Sequence, residues 1–132
     1  MDMVRLAEVA ARHRVTLLLQ HGSTVSGRVH AHSDLDIAAL FEASDVSLAD
    51  VAGLSADLQG LNPGREVDVA VLNHADPLFL KLIIDNCRLL HGSPRRLAEL
   101  GTYAYKRYQD HRRFLALEQS YVKRALQRMG AR

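Results

Sequence analysis

The sequence predicts an α/β (α+β) protein with a long C-terminal helix. Three short apolar runs of β-strand character alternate with segments of helical periodicity, which is typical of this class. The chain has 132 residues, 48% of them apolar and 24% charged. Such a length and composition predict one globular domain, so we expect a single domain over residues 1–132.

The first half of the chain predicts a helix, two strands and a second helix. Apolar residues at helical spacing predict a helix over Met3–His13. A β-type run over Val15–Leu19 ends in a turn at Gly22, and Leu35–Phe41 is the second strand-like run. Ser47–Leu61 is the next predicted helix, because its first residue is a good N-cap with an acid three positions later.

The second half predicts a strand, a short helix, an extended segment and the long helix. The strand is Val67–Leu72, the short helix is Pro77–Asn86 and the extended segment is Arg88–Leu90. A serine followed by proline then starts a basic helical segment over about 94–129. Gly101 is the expected weak point of that helix, because glycine has a low helix propensity.

Charge divides the chain into two unequal parts. Residues 1–93 have a net charge of −5, whereas residues 94–132 have a net charge of +7. The basic segment is either a solvated helix face or a docking surface for an acidic partner, and composition does not separate these two interpretations.

Composition also excludes several classes of protein. Aromatic residues make up 5% of the chain and tryptophan is absent, which argues against a stacking platform for single-stranded nucleic acid. The N-terminus lacks the apolar core of a signal peptide, and no apolar run is long enough to span a membrane. The single cysteine, Cys87, lies in an apolar stretch, so we expect it to pack rather than react. We therefore expect a cytoplasmic protein.

Three aspartates are the candidate metal ligands. Asp34 and Asp36 are two residues apart on a predicted strand and so share a face, and Asp68 lies inside another apolar strand. If these strands are neighbours, the like charges repel unless a divalent cation is bound, and oxygen-only ligands suit Mg²⁺ or Mn²⁺. The alternative is structural: Asp34 ends a turn, Asp36 faces solvent and Asp68 pairs with an arginine.

A glycine and a serine after the first strand are candidate phosphate ligands. Gly22 allows close approach of the backbone to a phosphate, and Ser23 adds a hydroxyl donor. The following segment reads as the start of a helix, whose free N–H groups favour an anion. The segment lacks the sequence of a Walker loop and of a dinucleotide-binding fingerprint.

Together these residues carry a family resemblance. Gly22-Ser23, a ten-residue interval and then Asp34-Leu35-Asp36 resemble the signature of the DNA polymerase β-type nucleotidyltransferases, and in particular the minimal nucleotidyltransferase (MNT) family. The resemblance implies a mixed β-sheet flanked by helices. It also implies an antitoxin that transfers AMP from ATP onto a tyrosine of a partner HEPN ribonuclease toxin, with two Mg²⁺ ions.

The resemblance assigns a role to each matching residue. Gly22 and Ser23 match the turn that holds the β- and γ-phosphates. Asp34 and Asp36 match the two metal-binding carboxylates. Asp68 matches the carboxylate that binds the catalytic metal and helps to deprotonate the acceptor hydroxyl.

One position departs from the family pattern. The family often has a basic residue between the Gly-Ser pair and the next glycine, but residues 24–26 are uncharged here. Arg28 follows directly after that glycine, and we expect it to contact the nucleotide in its place.

Two other functions remain open at this stage. The basic C-terminal segment also fits a binding module that neutralises a partner by occlusion, without catalysis. The same catalytic residues would serve a small-molecule nucleotidyltransferase of the aminoglycoside type, although such enzymes usually carry an additional helical domain.

Overall fold

The computed structural model describes residues 1–22 and 34–130 of the chain. Within these residues the α/β class is confirmed, and the helices and strands lie close to their predicted positions. In chain order the elements are α1 (Met3–Arg12), β1 (Val15–His21), β2 (Leu35–Phe41), α2 (Leu48–Leu61), β3 (Val67–Val71), α3 (Pro77–Asp85), β4 (Cys87–His91) and α4 (Pro94–Gly130).

The four strands form one mixed sheet in the order β3-β2-β1-β4. Strand β1 is antiparallel to both β2 and β4, whereas β2 and β3 are parallel. This topology brings the end of β1 and the starts of the other three strands to the same edge of the sheet, which we call the site edge.

Two apolar layers cover the two faces of the sheet. On β2, Leu35, Ile37 and Ala39 pack with α1 and α2, whereas Ala38 and Leu40 pack with α3 and the first part of α4. Successive side chains of a strand point to opposite faces, and both faces of β2 are covered, so β2 is apolar at almost every position. The exception is Asp36 at its start.

Strand β1 contains a bulge that changes which residues face each layer. Val15 pairs with Phe41, but Leu17 pairs with Leu40, so β1 has one extra residue between these pairs. Val15 therefore packs in the α1–α2 layer and Leu17 in the α3–α4 layer, although they are two positions apart.

Local capping interactions begin the shorter helices. The predicted capping box of α2 is confirmed: Ser47 Oγ accepts from the Asp50 N–H at 3.1 Å, and the Asp50 carboxylate accepts from the Ser47 N–H at 3.0 Å. Asp2 caps α1 and Asp76 caps α3, each by accepting hydrogen bonds from two backbone N–H groups of the first turn. These contacts satisfy N–H groups that lack a partner within the helix.

Helix α4 continues without a break through Gly101, the expected weak point. A Cβ atom built there would lie 3.5 Å from Ile84 Cγ2, an ordinary packing distance, so this position faces α3. The lower helix propensity of glycine therefore does not end the helix here.

A polar cluster joins the end of α1 to α2. The Asp57 carboxylate contacts His13 Nε2 at 2.6 Å and accepts from Arg12 at 3.0 Å. The hydrogen bond to His13 is the main cause that lowers the pKa of Asp57 below its ordinary value of 3.8. The ionised carboxylate therefore stabilises the fold above pH 3.8, and this contribution disappears as the pH falls through the lowered pKa.

We expect Asp57→Asn to lower the melting temperature at pH 7, because the neutral amide is a weaker partner than the carboxylate for Arg12 and His13. The difference from wild type should shrink as the pH is lowered below 3.8. Thermal unfolding followed by circular dichroism between pH 3 and 7 measures this. Asp45→Asn is the matched control, since Asp45 is exposed and makes no ion pair within residues 1–22 and 34–130. A difference in melting temperature that stays constant from pH 3 to 7 would show that the ionised Asp57 carboxylate does not stabilise the fold.

Candidate active site

Four side chains with reactive groups lie in one row across the site edge. Cys87 of β4 pairs with His21 of β1, His21 pairs with Asp36 of β2, and Asp36 pairs with Asp68 of β3. Paired residues on neighbouring strands point to the same face, and adjacent strands lie about 4.8 Å apart. The row is on the α3–α4 face of the sheet, where Cys87 packs.

The parallel pairing places the predicted carboxylates together at this edge. Asp34 lies directly before β2, where the Leu35 N–H donates to the Glu66 carbonyl at 2.8 Å and ties the starts of β2 and β3 together. Asp34 and Asp68 are exposed, and Asp36 is half-buried. In the described ranges, no three His, Cys, Asp or Glu side chains already form a cluster that could hold a metal ion. The fold therefore brings the carboxylates to one edge without closing them into a ligand set.

Gly22 supports the Asp36 carboxylate from the end of β1. Its φ is +80°, a left-handed conformation that side chains rarely adopt. A Cβ atom built on Gly22 would lie 3.3 Å from Asp36 Cγ and would overlap Oδ2. Only glycine therefore fits both the turn and the position of the carboxylate.

His21 belongs to this site, and the sequence analysis did not identify it as a site residue. Its ring packs edge-on against Phe79 of α3, with centroids 6.5 Å apart. Burial lowers the pKa of His21 below its ordinary value of 6.5, and the negative charge of Asp36 partly opposes this. The neutral ring is thus favoured at pH 7. The one available signal was its position directly before Gly22.

Cys87 ends the row as a packed thiol, as expected. It is half-buried, and its Sγ lies 3.5 Å from the Ile84 carbonyl oxygen, which it can reach as a donor. Burial raises the pKa of the thiol, so it stays protonated and is a poor nucleophile at neutral pH.

Two predicted nucleotide-binding residues, Ser23 and Arg28, lie outside the described residues. The helix start predicted after Gly22 also falls in this segment. Their roles remain predictions from the sequence.

The sequence matches the family model for Polymerase beta, Nucleotidyltransferase over residues 5–96. This match spans more than half of the chain and every element from β1 to β4. The chain therefore belongs to the polymerase β-type nucleotidyltransferase family. A comparison with curated proteins found no significant match.

Solved structures with this fold include MNT antitoxins. One, a toxin–antitoxin with AMP-PNP, is 18% identical, with a TM-score of 0.74 and coverage of 96% of this chain and 99% of that chain. Another is the MNT antitoxin in complex with a tri-AMPylated HEPN toxin from Shewanella oneidensis, which is 16% identical, with a TM-score of 0.67 and coverage of 94% and 95%. These matches show that the nucleotidyltransferase fold, including a mixed sheet and a long C-terminal helix, is shared.

None of the described helices combines the length and the apolar composition needed to cross a bilayer.

The contact between Gly22 and Asp36 predicts a measurable coupling between these positions. Gly22→Ala should destabilise the protein by about 1–2 kcal/mol through its left-handed backbone, and further through the clash with Asp36. In an Asp36→Ala background the clash is absent, so we expect the cost of Gly22→Ala to be smaller by about 1 kcal/mol. Urea denaturation of the four variants measures this difference.

Gly60→Ala provides the control for this double-mutant cycle. Gly60 lies in α2, and an added Cβ there would meet no atom within 4 Å. This substitution should change stability by the same small amount in both backgrounds, since alanine has the higher helix propensity. An equal loss of stability from Gly22→Ala in both backgrounds would show that the Asp36 carboxylate does not contact Gly22.

Proposed function

We propose that this protein is a Mg²⁺-dependent adenylyltransferase that transfers AMP from ATP to a tyrosine hydroxyl of a partner HEPN ribonuclease toxin and thereby acts as its antitoxin. The observation that carries the proposal is the position of Asp36, in register with Asp68 and resting on Gly22, within a nucleotidyltransferase domain. The AMP-PNP and the AMPylated toxin named for two structural neighbours support the choice of adenine nucleotide and of acceptor.

The donor set of the site edge fits Mg²⁺ better than a softer metal. Asp34, Asp36 and Asp68 offer only carboxylate oxygens, and Mg²⁺ is usually bound by one or two carboxylates together with water and substrate phosphates. The three aspartates lie at one edge but do not form a closed cluster. A site of this kind is completed by the triphosphate. When bound, the metal would polarise the phosphate and stabilise charge on the attacking and leaving oxygens.

The remaining residues bind the substrate and move a proton. We propose that Gly22 and Ser23 bind the β- and γ-phosphates of ATP and that Arg28 adds positive charge there. The tyrosine oxygen attacks the α-phosphorus and forms a new P–O bond, while the bond from the α-phosphorus to pyrophosphate breaks. Asp68 is the acceptor for the proton of the tyrosine hydroxyl, since it is the exposed carboxylate of the row.

Positioning accounts for how a domain of this size can catalyse the transfer. The reaction needs an aligned hydroxyl, an aligned phosphate and charge stabilisation, and it needs no covalent intermediate on the protein. The bound AMP adds negative charge and bulk to the toxin, which would block its active site. We place this reaction in the cytoplasm, in keeping with the single packed thiol.

We expect Asp36→Asn to reduce AMP transfer by about 10³-fold or more, which corresponds to roughly 4 kcal/mol of lost transition-state stabilisation. Asp34→Asn and removal of divalent cations with EDTA should act in the same direction. The measurement is the intact mass of the purified HEPN partner, encoded by the neighbouring gene, after incubation with ATP and Mg²⁺. Asp45→Asn is the control, because this exposed aspartate lies beyond the opposite end of β2.

Three results would contradict this function in different ways. An unmodified partner that still binds and is silenced would indicate neutralisation by occlusion. Equal modification by wild type and Asp36→Asn would show that Asp36 is not a metal ligand. Nucleotide transfer to an aminoglycoside, with an untouched partner, would indicate a small-molecule enzyme.

A further inference from the structure

The second half of α4 projects away from the rest of the molecule. The buried residues of this 37-residue helix are Leu100 and Ala104, both in its first third. From Arg112 to Gly130 it has no buried residue, and this part is roughly 28 Å long at 1.5 Å per residue. We call residues 112–130 the free segment.

The free segment has an exposed apolar face at helical spacing. Leu117 is 72% exposed, Tyr121 is 70% exposed and Leu126 is 62% exposed. Phe114, Leu117 and Tyr121 are spaced three, four and seven residues apart and so form one row along the helix. Leu115, Val122 and Leu126, at intervals of seven and four residues, form the adjacent row, and Ser120 and Gln127 lie on the opposite side. The apolar face comprises Phe114, Leu115, Leu117, Tyr121, Val122 and Leu126.

Charge selects the kind of surface that can cover this face. The free segment contains five basic residues and one acidic residue, a net charge of +4. A second copy of the chain would bring an equal positive charge against it, which opposes self-association. An apolar partner surface with an acidic rim would be attracted instead.

Glu118 favours a protein partner over a lipid surface. It lies between Leu115 and Val122, inside the apolar face. Against an anionic membrane this carboxylate would be repelled and desolvated, whereas a folded partner can place a donor opposite it.

We propose that the free segment docks on the protein whose tyrosine is modified, through an apolar helical surface that has carboxylates at its rim and a basic residue opposite Glu118. This inference rests on the proposed function, since it concerns the partner of that reaction. The alignment with the AMP-PNP-bound toxin–antitoxin covers 96% of this chain, so most of α4 belongs to the shared architecture. The free segment would supply affinity for the partner, and the site edge would supply the chemistry.

The test compares two doubly substituted full-length proteins that carry the same added charge. Val122→Glu with Leu126→Glu alters the apolar face, and Ser120→Glu with Gln127→Glu alters the opposite face of the same turns. Both should keep the melting temperature of wild type, because the free segment does not pack on the domain. Binding of the HEPN partner is measured by calorimetry, and AMP transfer by mass spectrometry.

We expect the apolar-face variant to bind at least 100-fold more weakly and to raise KM for the partner protein with little change in kcat. The opposite-face variant should stay within about threefold of wild type. Glu118→Ala should weaken binding of the partner and leave the KM for ATP unchanged. Equal effects of the two double variants, or a fall in kcat alone, would overturn the proposal.

Docking of a lipid surface or of a second copy of the chain on the free segment would give distinct results, and either result would overturn the proposal. A lipid surface would be indicated by binding to phosphatidylglycerol vesicles that Glu118→Ala strengthens, with partner affinity unchanged in the apolar-face variant. A second copy would be indicated by a dimer in sedimentation that only the apolar-face variant loses. If wild type binds the partner through the apolar face but transfers no AMP, the docking stands and the proposed catalytic function fails.

Discussion

The pairing register between β1 and β2 is the constraint on which the site depends. It sets His21 opposite Asp36 and lets the chain turn at Gly22 directly over the Asp36 carboxylate. Because side chains alternate along a strand, a slip of one residue would turn Asp36 toward the α1–α2 layer and place an apolar residue at the site. The apolar residues of β2 on both faces oppose such a slip, so core packing and site geometry are fixed by the same pairing.

The same register explains why a charged residue is tolerated at the start of an apolar strand. Asp36 is half-buried at the site edge, and the residues that follow it on β2 are buried in the two layers. Three aspartates lie at this edge, and like charges at short range repel, which is the cost that the proposed metal ion would offset. The buried strands provide the rigid support that such a site needs.

Local signals predicted most of the elements, whereas long-range contacts decided the rest. The Ser47 capping box could be predicted because its partners are three residues apart, and the common face of Asp34 and Asp36 because they are two residues apart. The position of His21 beside Asp36 depends on strand pairing, which no local pattern specifies. That α4 continues through Gly101, which faces Ile84, could not be read from local propensity alone. The exposed half of α4 has the same amphipathic pattern as a helix that packs on its own domain, so the sequence did not distinguish the two.

The bulge in β1 determines whether His21 or Gln20 lies beside Asp36 at the site edge. If all residues from Val15 to His21 alternated regularly, with no bulge, Leu17, Leu19 and His21 would face the α1–α2 layer and Gln20 would lie beside the carboxylates. Gly92, with φ of +110°, packs against Thr16 and Leu17 at this point, where a Cβ atom would lie 2.5 Å from the Thr16 carbonyl oxygen. Deleting Thr16 would remove the bulge and place Val15 and Leu17 in regular alternation, so His21 would keep its present face and its pairing with Asp36. The bulge near the start of β1 thus accommodates one additional residue without changing which side chain faces Asp36.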